Sequence, residues 1–208
     1  GGCTALDMMT YEYDLEGRLV SSVYDYEADE MADIIVEYFY DTDGNLSSST
    51  MDNDGDGTPD SQSTIECDEA GRIISISMDS DLDGTVDSIG TYSRDGHGNP
   101  TVETFDSDAD GTADSVTAYS NEYDTDGNLI SVNADSGDDG TTDYIYSYTY
   151  DGDGNRISAN IDADADGVTD NAYTYQYDSM NNLLFEYMDN DMDGVTEIAA
   201  SCDYSCWS

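Results

Sequence analysis

One acidic motif recurs along this chain at an almost constant interval, and this repetition constrains the fold more than any other feature. The six clear copies read D-x-D-x-D-G-x-x-[DE] and begin at residues 52, 79, 106, 135, 162 and 189, at intervals of 27, 27, 29, 27 and 27 residues. In the copy at 135, Gly137 replaces the second Asp. A degenerate copy begins 27 residues earlier, at Asp25, and has Glu30 where the others have Gly. Spacing this regular indicates repeated supersecondary units.

A second motif follows the same interval. Copies such as "YDLEGRL", "YDTDGNL" and "YDGDGNR" place an Asp eleven residues ahead of every acidic motif. These aspartates are Asp14, Asp41, Asp68, Asp95, Asp124, Asp151 and Asp178. The chain therefore contains seven units, with one two-residue insertion around residues 118–122.

The segments between the two motifs predict β-strands. "IIVEYFY" (34–40) and "YIYSYTY" (144–150) place Tyr or aliphatic residues at alternate positions, and β-branched residues, Tyr and Ser dominate. Such segments form strands of about six to eight residues. Each unit then reads strand, "YD" turn, strand, acidic loop. The turn needs a residue with positive φ, which Gly supplies in six units and Asn181 in the seventh.

The expected fold is all-β: an elongated antiparallel β-hairpin repeat array of seven units, each of ~27 residues, either curled or two-layered. An up-and-down meander would place all "YD" turns along one edge and all acidic loops along the other. We expect an N-terminal segment at 1–10, the repeat domain at 11–197, and a C-terminal cap or joint at 198–208. The tyrosines are expected chiefly to pack against neighbouring strands; a stacking surface for sugars is the alternative.

The charge of the chain restricts the classes of molecule that it can bind. The chain carries 49 acidic and 4 basic residues, for a formal charge of −45. Nucleic acids and anionic membrane surfaces are polyanions, so both are poor partners, whereas cations are favoured; no nucleic-acid binding and no membrane insertion are expected. Eighteen tyrosines argue against a disordered acidic tail. No apolar run approaches the ~20 residues that a membrane-spanning helix requires.

The acidic loops predict calcium sites. Carboxylates at positions 1, 3, 5 and 9, with the carbonyl of position 7, form the kind of oxygen ligand set that Ca²⁺ takes, and Gly at position 6 permits the sharp bend. None of the six residues at position 12 is acidic, so the acid at position 9 must take over the closing role. The prediction is about six Ca²⁺ ions, roughly one for each clear loop. The candidate ligands are Asp52, Asp54, Asp56, Thr58, Asp60; Asp79, Asp81, Asp83, Thr85, Asp87; Asp106, Asp108, Asp110, Thr112, Asp114; Asp135, Asp139, Thr141, Asp143; Asp162, Asp164, Asp166, Val168, Asp170; and Asp189, Asp191, Asp193, Val195, Glu197.

Both motifs resemble known repeats. "YEYDLEGRL", "YFYDTDGNL" and "NEYDTDGNL" resemble the YD repeats of the RHS family, over nearly the whole chain from about Met8 to Glu197. The acidic loops resemble the first half of an EF-hand loop and the DxDxDG loops of dockerins and thrombospondin type 3 repeats. The YD resemblance implies β-hairpin units in a long curling sheet, on secreted or surface-exposed bacterial proteins. The inserted acidic loops depart from ordinary YD repeats.

These features favour a secreted calcium-binding structural repeat protein that self-associates into an extracellular filament or surface fibre. The ends could join by strand addition, or by a disulfide between Cys3 and Cys202 or Cys206. The alternative is a monomeric calcium-dependent adhesin or glycan-binding module. Catalysis is not expected, because the single His, His97, lies in a turn and no nucleophile–base pattern is visible.

Overall fold

The described part of the chain is an antiparallel meander. A computed structural model describes residues 8–26, 29, 31–190, 192 and 198–201. Regular structure in these residues consists of β-strands without helices, and the antiparallel pairs join strands that follow one another in the chain. The predicted all-β hairpin array is therefore confirmed. Within the described residues, no helix has the length and apolar character needed to cross a membrane.

The chain divides into two compact units. The first comprises Gly1–Ser93 and Glu103–Ser115, and the second comprises Arg94–Val102 and Val116–Ser208. The strands of the first unit, with β8 divided between the two, are β1 (Met8–Tyr13), β2 (Leu19–Asp25), β3 (Ile34–Tyr40), β4 (Leu46–Asp52), β5 (Ser61–Cys67), β6 (Ile73–Asp79), β7 (Ser88–Arg94) and β8 (Pro100–Asp106). Those of the second unit are β9 (Ser115–Tyr123), β10 (Leu129–Ser136), β11 (Tyr144–Tyr150), β12 (Arg156–Asp162), β13 (Asn171–Tyr177), β14 (Leu183–Asp189) and β15 (Ile198–Ser201).

An irregularity in register accompanies the "YD" turns. In β3 and β4, Phe39 pairs with Ser48, but the next residue, Tyr40, pairs with Leu46. The same shift occurs in the hairpins β1–β2, β5–β6, β9–β10, β11–β12 and β13–β14. One residue of the second strand is left over at such a bulge. The bulge places the residue five positions after the turn Asp opposite the residue that precedes this Asp.

Burial is unusual for a folded chain. Among the described residues only two apolar side chains are buried, Ala134 at 4 % and Ala159 at 7 % exposure. The tyrosines expected to form a core are half-buried or exposed. Several of the most buried residues are instead the first Asp of an acidic motif, including Asp25, Asp52 and Asp106. Fully buried apolar side chains are therefore scarce among the described residues, and several of the fully buried positions hold carboxylates.

Candidate metal centres

The acid at position 9 closes the five clear loops that the structure describes in full. In the loop at 52, the Asp60 amide donates to the Met51 carbonyl at 2.7 Å, and the Asn53 amide donates to Asp60 Oδ2 at 2.7 Å. The same amide-to-carboxylate bond, at 2.7–2.8 Å, joins Ser80 to Asp87, Ser107 to Asp114, Ser136 to Asp143 and Ala163 to Asp170. One oxygen of position 9 is thus fixed by the backbone, which holds the side chain over the loop.

The Gly at position 6 makes the predicted bend. Its amide donates to Oδ2 of position 1, for example from Gly57 to Asp52 at 2.8 Å. Equivalent bonds of 2.8–2.9 Å join Gly84 to Asp79, Gly111 to Asp106, Gly140 to Asp135 and Gly167 to Asp162. The φ of Gly57 is 89°, in the left-handed region that a Cβ disfavours.

A second left-handed residue lies at position 4, where the sequence gives no sign of it. Gly55 occupies this position in one loop, but Leu82, Ala109, Ala165 and Met192 occupy it in others with φ of 50–56°. Such a conformation costs roughly 1–2 kcal/mol for a residue with a Cβ. Two left-handed residues, two positions apart, turn the loop back on itself.

This backbone path gathers three carboxylates in each of four loops. Oxygens of positions 1, 3 and 9 lie within 4.8 Å of one another. The groups are Asp52, Asp54 and Asp60; Asp79, Asp81 and Asp87; Asp106, Asp108 and Asp114; and Asp162, Asp164 and Asp170. Position 1 is the buried member in three of them. Each group could hold a metal ion, and its all-oxygen chemistry suits a hard cation.

Position 5 lies outside these groups of three. Its Oδ1 accepts the amide of position 7, as in the 2.8 Å bond from Thr58 to Asp56. The other loops repeat this contact at 2.7–2.8 Å, from Thr85 to Asp83, Thr112 to Asp110, Thr141 to Asp139 and Val168 to Asp166. Position 5 therefore has a structural role in the loop, and ligation by positions 5 and 7 stays a prediction.

The loop at 135 gathers no group of three. Gly137 stands at position 3, has a φ of 102°, and donates its amide to the Val116 carbonyl at 2.7 Å. Asp135 and Asp143 keep the loop hydrogen bonds but lack the third carboxylate. In the loop at 189, the predicted ligands Asp191, Asp193, Val195 and Glu197 lie outside the described residues.

The degenerate loop keeps part of the same framework. The Tyr26 amide donates to Asp33 at 2.6 Å, and the Asp29 amide donates to Asp25 at 3.1 Å. Asp25 is only 3 % exposed. These two bonds match those from position 2 to position 9 and from position 5 to position 1 in the clear loops. Glu30, which replaces the Gly, lies outside the described residues.

Hydrogen-bond donors lower the pKa of three loop carboxylates. The hydroxyl and amide of Ser80 lower the pKa of Asp87, and those of Ser107 lower the pKa of Asp114. Burial raises the pKa of Asp52, but amide donors led by Gly57 outweigh it, so that the net shift is downward. Asp79 also has a buried Oδ1 that accepts no hydrogen bond. Such an oxygen costs free energy unless a cation or donor meets it.

The "YD" turns use Asp differently. Asp41 Oδ1 accepts the amides of Asp43 and Asn45 at 2.9 and 2.8 Å, and Oδ2 accepts the Asn45 side-chain amide at 3.3 Å. Where the motif has Arg, its Nε donates to the same oxygen, from Arg18 to Asp14 at 2.7 Å and from Arg72 to Asp68 at 2.8 Å. This shared contact explains why the motif accepts either Asn or Arg after Gly.

The Tyr of the "YD" motif joins one repeat to the one before it. The Tyr40 hydroxyl donates to the Leu19 carbonyl at 2.7 Å, 21 residues away. Tyr150 bonds the Leu129 carbonyl at 2.8 Å and Tyr177 bonds the Arg156 carbonyl at 3.0 Å, with the same separation. The recurrence of Tyr before Asp reflects this hydrogen bond, whereas the tyrosines were expected chiefly to pack against neighbouring strands.

The two-residue insertion changes this contact in one repeat. The Tyr123 hydroxyl donates to the Asp95 carboxylate instead, and the side-chain amide of Asn121 donates to the Pro100 carbonyl at 2.7 Å. His97 stacks on Tyr123 with ring centroids 4.0 Å apart. The Tyr123 hydroxyl is the main cause that lowers the pKa of Asp95 to about 2.

The cysteines divide between described and undescribed regions. Cys67 occupies the Tyr position of its turn, is a half-buried free thiol, and lies 4.0 Å from the Leu46 carbonyl. Cys3, Cys202 and Cys206, to which the predicted disulfide was assigned, lie outside the described residues.

Comparisons with known proteins concern the fold alone. No protein-family model matches the chain, and no curated relative matches it. Among solved structures, the Photorhabdus luminescens Tc holotoxin pore is similar at 19 % identity with a TM-score of 0.46. A TcdB2–TccC3 complex is similar at 17 % identity with a TM-score of 0.41. The matches cover 87 % and 89 % of this chain but only 9 % and 12 % of those proteins.

A third solved structure, a porin-like protein from Bacteroides uniformis, is similar at 12 % identity with a TM-score of 0.33. The match covers 85 % of this chain and 87 % of that one.

Proposed function

We propose that this chain is a secreted calcium-binding structural repeat protein that self-associates into an extracellular filament or surface fibre. The observation that carries the calcium part is the gathering of three carboxylates in each of four loops. The ions would relieve the repulsion among these carboxylates, and their binding free energy would add to the stability of the fold.

The number and charge of the ligands favour calcium outside the cell. Three carboxylates supply only part of the six to eight oxygens that Ca²⁺ takes, so that water, position 5 or the carbonyl of position 7 must complete the shell. Calcium sites of extracellular modules have dissociation constants of about 10⁻⁴–10⁻³ M. Sites of this strength would fill only where calcium is abundant, which supports an extracellular location.

The exposure of large apolar side chains supports self-association. Only Ala134 and Ala159 are buried apolar side chains among the described residues, while large ones such as Met8, Met9 and Phe105 are at least 46 % exposed. Contact between copies would cover such surface, and repeats that meet head to tail generate fibres. A monomeric calcium-dependent adhesin is the alternative.

Calcium binding can be tested by isothermal titration. We expect four to six ions, roughly one for each competent loop. Asp54→Ala should remove about one ion from the stoichiometry, because Asp54 is a member of a group of three but its carboxylate accepts one long hydrogen bond, 3.3 Å, from the Asp56 amide. The matched control is Asp43→Ala, which removes the same charge from an exposed position in a turn. Equal stoichiometry in the parent and both variants would contradict the site assignment.

Assembly can be tested by negative-stain electron microscopy in millimolar calcium and after chelation. Filaments that dissociate on chelation are the expected result. Discrete particles in both conditions, with calcium binding intact, would favour the monomeric adhesin instead. Because titration and microscopy are separate, failure of the filament leaves the calcium assignment standing.

A further inference from the structure

Arg156 breaks a pattern that the other repeats keep. The residue five positions after the turn Asp is apolar in the other six repeats. These residues are Leu19, Leu46, Ile73, Pro100, Leu129 and Leu183. The register shift of the hairpin pairs Arg156 with Tyr150, so that a cation replaces an aliphatic side chain on the tyrosine-bearing face.

Two tyrosines on neighbouring strands flank its guanidinium. The Arg156 Cζ lies 4.9 Å from the ring centroid of Tyr175 on β13 and 5.5 Å from that of Tyr148 on β11. Its Nη2 makes a long hydrogen bond, 3.4 Å, to the Tyr175 hydroxyl. Tyr148 and Tyr173 also pair with Ala159 from either side, so the aromatic surface spans three strands.

The guanidinium has no acidic partner in the described part of the chain. Arg18 and Arg72 each form an ion pair at 2.7 Å with the Asp of their own turn. In the turn before Arg156, the side-chain amide of Asn155 donates to the Asp151 carboxylate at 3.0 Å. Ion pairs within 4.0 Å in the described residues involve Arg18 and Arg72 alone. Arg156 is exposed and keeps most of its five N–H donors free for an external acceptor.

We propose that Arg156, Tyr148 and Tyr175 bind the carboxylate of an acidic sugar. The edge of a guanidinium matches a carboxylate in a bidentate geometry. The tyrosine faces offer apolar contact to the ring, and their hydroxyls offer hydrogen bonds. The formal charge of −45 opposes polyanions and multiply charged groups. A single carboxylate on an otherwise neutral, polar ring suits this surface best, and that chemistry is found in sialic and uronic acids.

The test compares sialyllactose with lactose, which differ only in the sialic acid, by ligand-observed NMR titration of the full chain in calcium buffer. The parent should bind sialyllactose and leave lactose unbound. Arg156→Leu restores the residue that most other repeats carry and should weaken binding by about tenfold or more, since it removes the bidentate partner. Arg156→Lys keeps the charge without the planar fork and should recover only part of the affinity.

The matched control is Arg72→Asn, which removes one cation at a turn and inserts the residue that other turns use. It should bind sialyllactose as the parent does. Unchanged binding in Arg156→Leu, with the variant folded by thermal unfolding, would overturn the proposal and point to calcium-bridged sugar at the loops. No binding of sialyllactose by the parent, or equal binding of lactose, would also overturn it. None of these results depends on whether filaments form.

Discussion

The two edges of a hairpin use Asp in opposite ways. In a "YD" turn, both oxygens of the Asp are met by donors from the same turn, as Asp41 is met by Asn45. In an acidic loop, the backbone holds part of each carboxylate, but the oxygens of three aspartates converge on one another. The turn Asp has its hydrogen-bond donors within the turn, whereas the three loop carboxylates could hold a metal ion. We therefore expect calcium to affect the loop edge and to leave the turn edge unchanged.

Replacing one Asp at each edge tests most directly whether the two edges use Asp differently. Asp41→Ala should lower the unfolding temperature by on the order of 5 °C, equally in calcium and in chelator, because it leaves several turn donors unmet. Asp54→Ala should lower it only in calcium, where the parent gains stability from bound ions. Thermal unfolding by circular dichroism measures both. A fall in the unfolding temperature of Asp41→Ala that occurs only in calcium would contradict this difference between turn and loop.

The hydrogen bond from the "YD" Tyr to the preceding repeat lies at the turn edge. Its contribution to stability should not depend on calcium. Tyr177→Phe removes the hydroxyl that meets the Arg156 carbonyl and should cost about 1 kcal/mol in denaturant unfolding. Tyr13→Phe is the control, because Tyr13 is 61 % exposed and its hydroxyl should contribute almost nothing. A similar loss in both variants would show that the ring, rather than the hydrogen bond, carries the effect.

Acid should affect the turn Asp at an unusually low pH. The pKa of Asp95 is lowered from 3.8 to about 2, with the Tyr123 hydroxyl as the largest cause. Ionised Asp95 thus stabilises the fold above about pH 4, and this contribution is lost as the pH falls towards 2. NMR titration of the carboxyl should show the low value, and Tyr123→Phe should move it upward. An unchanged pKa in that variant would refute the assignment.

The smallest effect is expected where one turn donor replaces another. Arg72→Asn exchanges one Asp68 partner for the residue that other turns use, so stability should change by no more than about 0.5 kcal/mol. Denaturant unfolding in calcium and in chelator should give the same small difference. A large loss would mean that the charge of Arg72, rather than its donor geometry, holds the turn.

The repeat and its strands could be predicted from the sequence because periodicity of two and the turn Gly are local signals. The positive φ of Asn181 and of the Gly at position 6 followed from the same reasoning. The left-handed Leu82 and Ala109 could not be foreseen, since such residues disfavour that conformation and only the loop hydrogen bonds impose it. The hydrogen bond of Tyr40 could not be predicted either, because its partner lies 21 residues away on the neighbouring strand.

The candidate site was only partly predictable. Spacing predicted that the oxygens of positions 1, 3 and 5 would converge, with a further acid at position 9, whereas four loops gather positions 1, 3 and 9. Spacing alone could not show that Asp56 would be held by the Thr58 amide. The sequence does place Arg156 one position further from its turn Asp than Arg18, but the contact of Arg156 with the rings of Tyr148 and Tyr175 depends on strands that meet only in the fold.

The meander has a kinetic consequence. Strand pairing in β-proteins usually brings together residues far apart in sequence, which slows folding. Here the longest side-chain bond described, from Tyr123 to Asp95, spans 28 residues, and strands pair with their chain neighbours. Each hairpin can therefore form without waiting for a distant segment, as in other repeat proteins. By the same reasoning, a loop that loses its ion should open its own hairpin while those further along the chain stay folded.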